Sequence, residues 1–346
     1  MDAFVIGSGT WLPDLVVTNE KLAPRLGLQP EQIFKSSGIR SRRWVDGKAT
    51  TSSLAAEALR RALDDARLSP DDIDFLIVGT MTPDRFIPGS APAIQHALGL
   101  REIPALDIRA ACCNALYALQ LARALIQSNI ANHVAICLAE VQSPFLDLSP
   151  PSATLSMLFG DGASALIVSG RDPTVREGAI TPRLEIVDVV LATNGQYVDD
   201  LGIRCPGTEF GNSISHGADD FPSDYLPRMN GQSVILQASR RMVSACQTVL
   251  ERNELSAKDV RWVVPHQANA NLLAQVTRSL GLARDRCEVI SVLEELGNTS
   301  SASMGIALDV LRRSSKIESG DYVLLPAFAA GFTWGACLCR ASEARP

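Results

Sequence analysis

Short apolar runs alternate with amphipathic stretches along the whole chain. FLIVG at 75–79, HVAICLAE at 133–140, ALIVS at 165–169 and YVLLPAF at 322–328 are flanked by turn residues, the pattern of buried strands. LAAEALRRALDDARL at 54–68 and SVILQASRRMVSACQTVLERNEL at 233–255 carry apolar residues at the helical period. The opening MDAFVIGSGTWLP reads as a first strand and turn. Alternation of this kind predicts a layered α/β fold. Residues 199–231 are richer in Gly, Pro, Asp and Ser, an irregular insertion suited to covering a substrate.

The two halves of the chain look alike. LSPDDIDFLIVG at 68–79 matches LSAKDVRWVVPH at 255–266, an offset of 187 residues. HALGL at 96–100 pairs with RSLGL at 278–282, NHVAICL at 132–138 with DYVLLPA at 321–327, and GASALIVS at 162–169 with GACLCR at 335–340. A shared order at a nearly constant offset predicts a duplicated unit, with halves at 1–170 and 171–346.

Composition narrows the class of partner. Among 346 residues, 32 Lys and Arg against 38 Asp and Glu give a formal charge of −6, so no global basic footprint for nucleic acid exists. No apolar run reaches the length of a membrane span, and the N-terminus lacks the charged and apolar regions of a secretory signal. A cytoplasmic protein is expected. Eight cysteines in a chain this long are not a disulfide scaffold, and none forms a CxxC pair.

Three segments carry candidate chemistry. In LDIRAACCNALYALQLARALIQS at 106–128, Cys112 falls where a buried strand gives way to a helix. Free N–H groups and the dipole at a helix start favour thiolate and lower the thiol pKa; alternatively, Cys112 and Cys113 are small core residues. In VVPHQANANLL at 263–273, His266 ends an apolar strand, where an imidazole can donate a hydrogen bond or move a proton, or simply be a structural residue. In LGNTSSASMGIALDVLRR at 296–313, Asn298 can cap the following helix or turn its amide into a cleft. The duplication places this last segment where the Cys112 segment sits in the first half, so Cys112 and Asn298 should meet across a pseudo-twofold axis. FGDGASAL at 159–166 lacks the lysine of a phosphate loop and reads as structural.

Together, AACCNALYAL, VPHQAN, GNTSSASMGIALD, LFGDGASA and AFAAGFTWGA resemble β-ketoacyl-acyl carrier protein synthase III, a condensing enzyme of the thiolase superfamily. IGSGTWLP, SSGIRSRRW and IVGTMTP add to the resemblance, which runs in order over nearly the whole chain. It implies a thiolase-like α/β fold of two βαβαβαββ halves in five layers, α-β-α-β-α. It implies Cys112 as the acyl-carrying nucleophile and His266 and Asn298 as donors to a malonyl thioester carbonyl. An N–H of Cys112 and another near Ala330 would hold the oxyanion, with Gly331, Phe332, Cys113, Ile235 and Ile87 around the pocket, Ile87 lining that of a partner in a homodimer. It implies acyl carrier protein or CoA thioesters as partners, no metal and no other cofactor.

The chain also departs from the family pattern. Gln32 and Ser36 stand where CoA-primed members clamp adenine between Trp and Arg, and Ala153 replaces a nearby Arg. Asn271 and Leu236 replace two basic carrier-docking residues, leaving Arg240, Arg241 and Arg278 as docking candidates. The run Ala329-Ala330-Gly331 replaces three glycines, which should narrow the pocket. A specialised member with a non-standard acyl donor is expected. The rival readings are acyl transfer to another acceptor, against which the His–Asn pair speaks, and a non-catalytic subunit, against which Cys112 speaks.

Overall fold

A computed structural model describes residues 2–170, 182–204, 226–282 and 286–342. The first half contains strands β1 (Phe4–Trp11), β2 (Leu15–Thr18), β3 (Ser41–Trp44), β4 (Phe75–Gly79), β5 (Ala105–Ile108), β6 (His133–Glu140) and β7 (Gly162–Ser169). Its helices are α1 (Asn19–Leu26), α2 (Pro30–Ser37), α3 (Thr51–Ala66), α4 (Ala91–Leu98), α5 (Asn114–Gln127) and α6 (Ala153–Ser156). The second half contains β8 (Arg183–Thr193), β9 (Leu201–Gly202), β10 (Arg228–Met229), β11 (Val260–Val263), β12 (Glu288–Val289), β13 (Tyr322–Ala329) and β14 (Thr333–Ser342), with α7 (Gly231–Glu251), α8 (Ala270–Ser279), α9 (Leu293–Leu296) and α10 (Ser303–Arg313).

Ten strands form one sheet in the order β12-β11-β13-β14-β8-β1-β7-β6-β4-β5. Read outward from the centre, each half has the same layout, with β8, β14, β13, β11 and β12 repeating β1, β7, β6, β4 and β5. The halves join through two antiparallel pairs, Phe4 with Glu185 and Val5 with Leu184. The expected boundary at 170/171 abuts residues 171–181, which lie outside the described residues, as do 205–225 of the expected insertion.

Side-chain alternation along the strands builds the layers. On β6, Ile136 and Leu138 face a central core with Leu116 and Leu119 of α5 and Ile306 and Leu311 of α10. Val323 and Leu325 of β13 enter the same core from the second half. Cys137, between those two β6 residues, faces outward onto α3 and α4, and Leu324 faces outward onto α7 and α8. The result is α3/α4, sheet, α5/α10, sheet, α7/α8, the five-layer α/β arrangement expected. Strands buried on both faces explain their unbroken apolar composition. Local signals set the helix ends: Thr50 Oγ1 accepts from Ser53 N–H while Ser53 Oγ accepts from Thr50 N–H at the start of α3.

Candidate active site

Cys112 lies in a 3₁₀ turn, Ala111–Cys113, that runs directly into α5. Ala111 has φ +48°, a left-handed conformation that costs a non-glycine residue about 1 kcal/mol. The turn is held by Cys113 N–H to Ala110 O at 3.0 Å and Ala110 N–H to Asn114 Oδ1 at 2.6 Å. In the second half the equivalent 3₁₀ turn is Ser300–Ala302, with φ +48° at Ser300. By this register Ser301, not Asn298, is the counterpart of Cys112; Asn298 sits three residues earlier, on the approach to the turn. The two segments do meet: Cys112 Sγ lies 3.6 Å from Ser300 Oγ.

Asn298 takes the capping role that the sequence left open. Its Oδ1 accepts Ser300 N–H at 2.8 Å and so caps the turn. Its Nδ2 has no partner among the described residues, yet is not one of the buried side-chain atoms sealed from solvent. The backbone of Asn298 is locked to the glycine-rich run, with Asn298 N–H to Leu158 O at 2.8 Å and Gly160 N–H to Asn298 O at 3.0 Å. A Cβ on Gly160 would stand 2.3 Å from Leu296 O. Gly160→Ala should therefore cost about 1–3 kcal/mol and displace Asn298. Thermal melting and single-turnover kinetics check this, with condensation expected to fall further than acylation.

His266 follows β11, with its N–H on Pro326 O at 2.9 Å. The side chain is buried, and Nδ1 lies 2.7 Å from Ser303 Oγ. Burial pulls its pKa down to about 4, so the ring is neutral at physiological pH. Nε2, like Asn298 Nδ2, has no partner and is not sealed off. Two side-chain nitrogens, on His266 and Asn298, thus remain without a partner among the described residues.

The thiol departs from expectation. The helix-start argument predicts a lowered pKa, but burial, with a further contribution from Glu140, pushes Cys112 up to about 12 despite the opposing Ser300 contact. Desolvation outweighs the dipole of a helix that starts beyond the cysteine. Glu140, buried at the end of β6, accepts from Met81 N–H at 3.1 Å and Thr82 Oγ1 at 3.0 Å, and Gln142 Nε2 lies 3.3 Å away. Burial raises its pKa to about 7. The carboxyl is neutral below that pH, and its charge opposes thiolate above it. Glu140→Gln should accelerate iodoacetamide labelling of Cys112 roughly two- to tenfold at pH 8.5 and leave it nearly unchanged at pH 6.

The remaining sequence candidates take several places. Cys113 is core, its Sγ 3.5 Å from Thr333 O. Ala330, Gly331 and Phe332 form the β13–β14 turn, where Phe332 N–H is committed to Asn194 O at 3.0 Å; an oxyanion donor there must be another N–H. Ala329 is buried in the central core, the cluster against which Cys112 also packs. Ile87 and Ile235 are exposed, at 78% and 54%, Ile87 beside Phe86 on the loop after β4. Arg240 and Arg278 are exposed, whereas Arg241 stacks over Trp334 at 4.5 Å. Gln32 caps α2 through Gln29 N–H at 2.7 Å, and Asn271 Nδ2 binds Ser36 O at 3.1 Å. Ala153 is buried. Sequence reading missed Ser300, Ser303 and Glu140. No cluster of metal-ligating side chains occurs among the described residues, and no helix among them is long and apolar enough to cross a membrane.

Comparison with known proteins decides the family. Residues 106–195 match the family model for 3-oxoacyl-[acyl-carrier-protein] synthase III, and residues 250–341 match its C-terminal companion. A β-ketoacyl-[acyl-carrier-protein] synthase III of Sphingopyxis alaskensis is 36% identical over 338 residues, covering 98% of both chains. The chain belongs to the β-ketoacyl-acyl carrier protein synthase III family. Among solved structures, the 3-oxoacyl-(acyl carrier protein) synthase III of Pseudomonas aeruginosa PAO1 superposes with TM-score 0.85 at 31% identity, covering 100% of both chains. The priming β-ketosynthase of the R1128 polyketide pathway gives TM-score 0.86 at 31% identity, covering 99% of this chain and 97% of that one. The chain is accordingly an acyltransferase-type enzyme with the thiolase-like fold.

Proposed function

We propose that the chain performs decarboxylative Claisen condensation through an acyl-Cys112 intermediate. Cys112 Sγ, as thiolate, attacks an acyl thioester; the new C–S bond forms as the donor thiol leaves carrying the proton Cys112 gave up. A malonyl thioester then binds with its carbonyl oxygen toward His266 Nε2 and Asn298 Nδ2. Hydrogen bonds there stabilise the enolate as the carboxylate carbon departs as CO2. The carbanion attacks the acyl carbonyl, with Cys112 N–H among the groups facing the oxyanion, and Cys112 thiolate is expelled. The C–C bond that breaks supplies the electron pair, so the scheme calls for no metal or redox cofactor.

The observation carrying this reading is the pair of unpartnered nitrogens on His266 and Asn298, together with the meeting of the Cys112 turn and the turn that Asn298 caps. Neutral, buried His266 suits an uncharged donor better than a proton store. Acyl carrier protein or CoA supplies the thioesters. The capping duty of Gln32 and the burial of Ala153 favour carrier-bound donors over a clamped adenine. The exposed Phe86–Ile87 loop supports a homodimer, and the absence of a spanning helix among the described residues accords with a cytoplasmic location. Incubation with an acyl donor panel and labelled malonyl thioester tests the reaction: one CO2 per β-ketoacyl product is expected, and acyl transfer without CO2 would refute it.

A further inference from the structure

Ser303 is fully buried at the first position of α10. Its Oγ accepts Gln267 N–H at 3.2 Å and lies 2.7 Å from His266 Nδ1. Gln267 is itself anchored, its Nε2 on Pro265 O at 2.7 Å and its Oε1 accepting from Val292 N–H at 3.0 Å, so the direction of its N–H is set. A hydroxyl has one proton to give. If Nδ1 carried the imidazole proton and donated it to Ser303, the buried hydroxyl proton would have no acceptor among the described residues. An unsatisfied buried donor costs on the order of a kcal/mol or more. If the hydroxyl donates to Nδ1, both Ser303 Oγ and His266 Nδ1 are satisfied, and the ring proton resides on Nε2, the ring nitrogen that is not sealed from solvent.

The first half provides a contrast. Asn114 opens α5 as Ser303 opens α10, each after a turn with a φ +48° residue. Asn114 abuts Gly79, whose added Cβ would lie 2.7 Å from Asn114 Cβ. There is no ring there to orient. The hydroxyl in the second half coincides with the half that carries an imidazole.

We infer that Ser303 holds His266 in the Nε2–H tautomer, making Ser303 a positioning residue and the imidazole a fixed hydrogen-bond donor. In that tautomer Nε2 cannot accept the proton of Cys112, so the proton must leave by another route during acylation. The catalytic meaning rests on the condensation proposed above; the tautomer does not.

The test uses full-length protein labelled with ¹⁵N-histidine. The chain has four histidines, and His266 is assigned by the signal lost in His266→Gln. Long-range ¹H–¹⁵N correlation at pH 7.5 should show wild-type His266 protonated at Nε2. Ser303→Ala should shift it toward Nδ1–H and lower kcat for malonyl-dependent condensation about tenfold, with KM within about twofold. Ser303→Thr should restore both. Wild-type His266 protonated at Nδ1, or a Ser303→Ala spectrum identical to wild type, overturns the inference. Failure to release CO2 from malonyl thioester would instead count against the reaction and leave the spectrum unaffected.

Discussion

Cys112→Ala is expected to abolish acyl-enzyme formation while leaving slow decarboxylation of malonyl thioester intact. The nucleophile and the enolate donors sit on different elements: Cys112 in the turn before α5, His266 after β11 and Asn298 before the turn into α10. Removing the sulfur leaves His266 on Ser303 and Asn298 on Ser300. No other described cysteine can substitute. Cys113, Cys137, Cys246, Cys287, Cys337 and Cys339 are all buried, and burial raises the pKa of Cys137 and Cys246 beyond the physiological range. Intact-protein mass spectrometry after exposure to an acyl thioester should show one added acyl group in wild type and none in the variant. An adduct persisting in Cys112→Ala would place the nucleophile elsewhere.

Asn298→Ala should show the converse. Acylation of Cys112 should persist within about tenfold, whereas malonyl-dependent CO2 release should fall about 10²- to 10³-fold, the usual cost of one oxyanion donor. The alanine also removes the acceptor for Ser300 N–H, and Ser300 touches the nucleophile. Asn298→Asp separates the two effects. It keeps an oxygen for Ser300 N–H but has no N–H to give, and its charge opposes the enolate. Both variants should fail at decarboxylation, and Asn298→Asp should preserve acylation better. Loss of acylation with malonyl decarboxylation intact would reverse the assignment. Rapid-quench measurement of the two half-reactions resolves the outcomes.

The parts of the fold legible in the sequence were those written as repeated patterns. Apolar runs such as FLIVG and HVAICLAE gave strands because they are buried on both faces, and the order of matched segments anticipated the mirrored strand order. The three catalytic candidates stood out because each lies in a distinctive motif, Cys112 and His266 after a strand and Asn298 between α9 and α10. What tertiary packing decides was less accessible. The Cys112 thiol is raised rather than lowered, because burial and Glu140, 28 residues away along the chain, outweigh the helix start. Ser300 and Ser303 looked like the small polar residues of any helix start, and only the meeting of the halves brings one to the sulfur and the other to the imidazole. Strand alternation turns Ala329 inward, to the same central core that Cys112 packs against.

The central claim is that Cys112, His266 and Asn298 serve one bound thioester. A crystal structure of Cys112→Ala with a non-reactive malonyl thioester analogue tests it most directly. The account predicts the analogue's carbonyl oxygen within about 3 Å of both His266 Nε2 and Asn298 Nδ2, with its methylene carbon directed at residue 112. A carbonyl bonded to neither nitrogen, or an analogue seated away from residue 112, would contradict it.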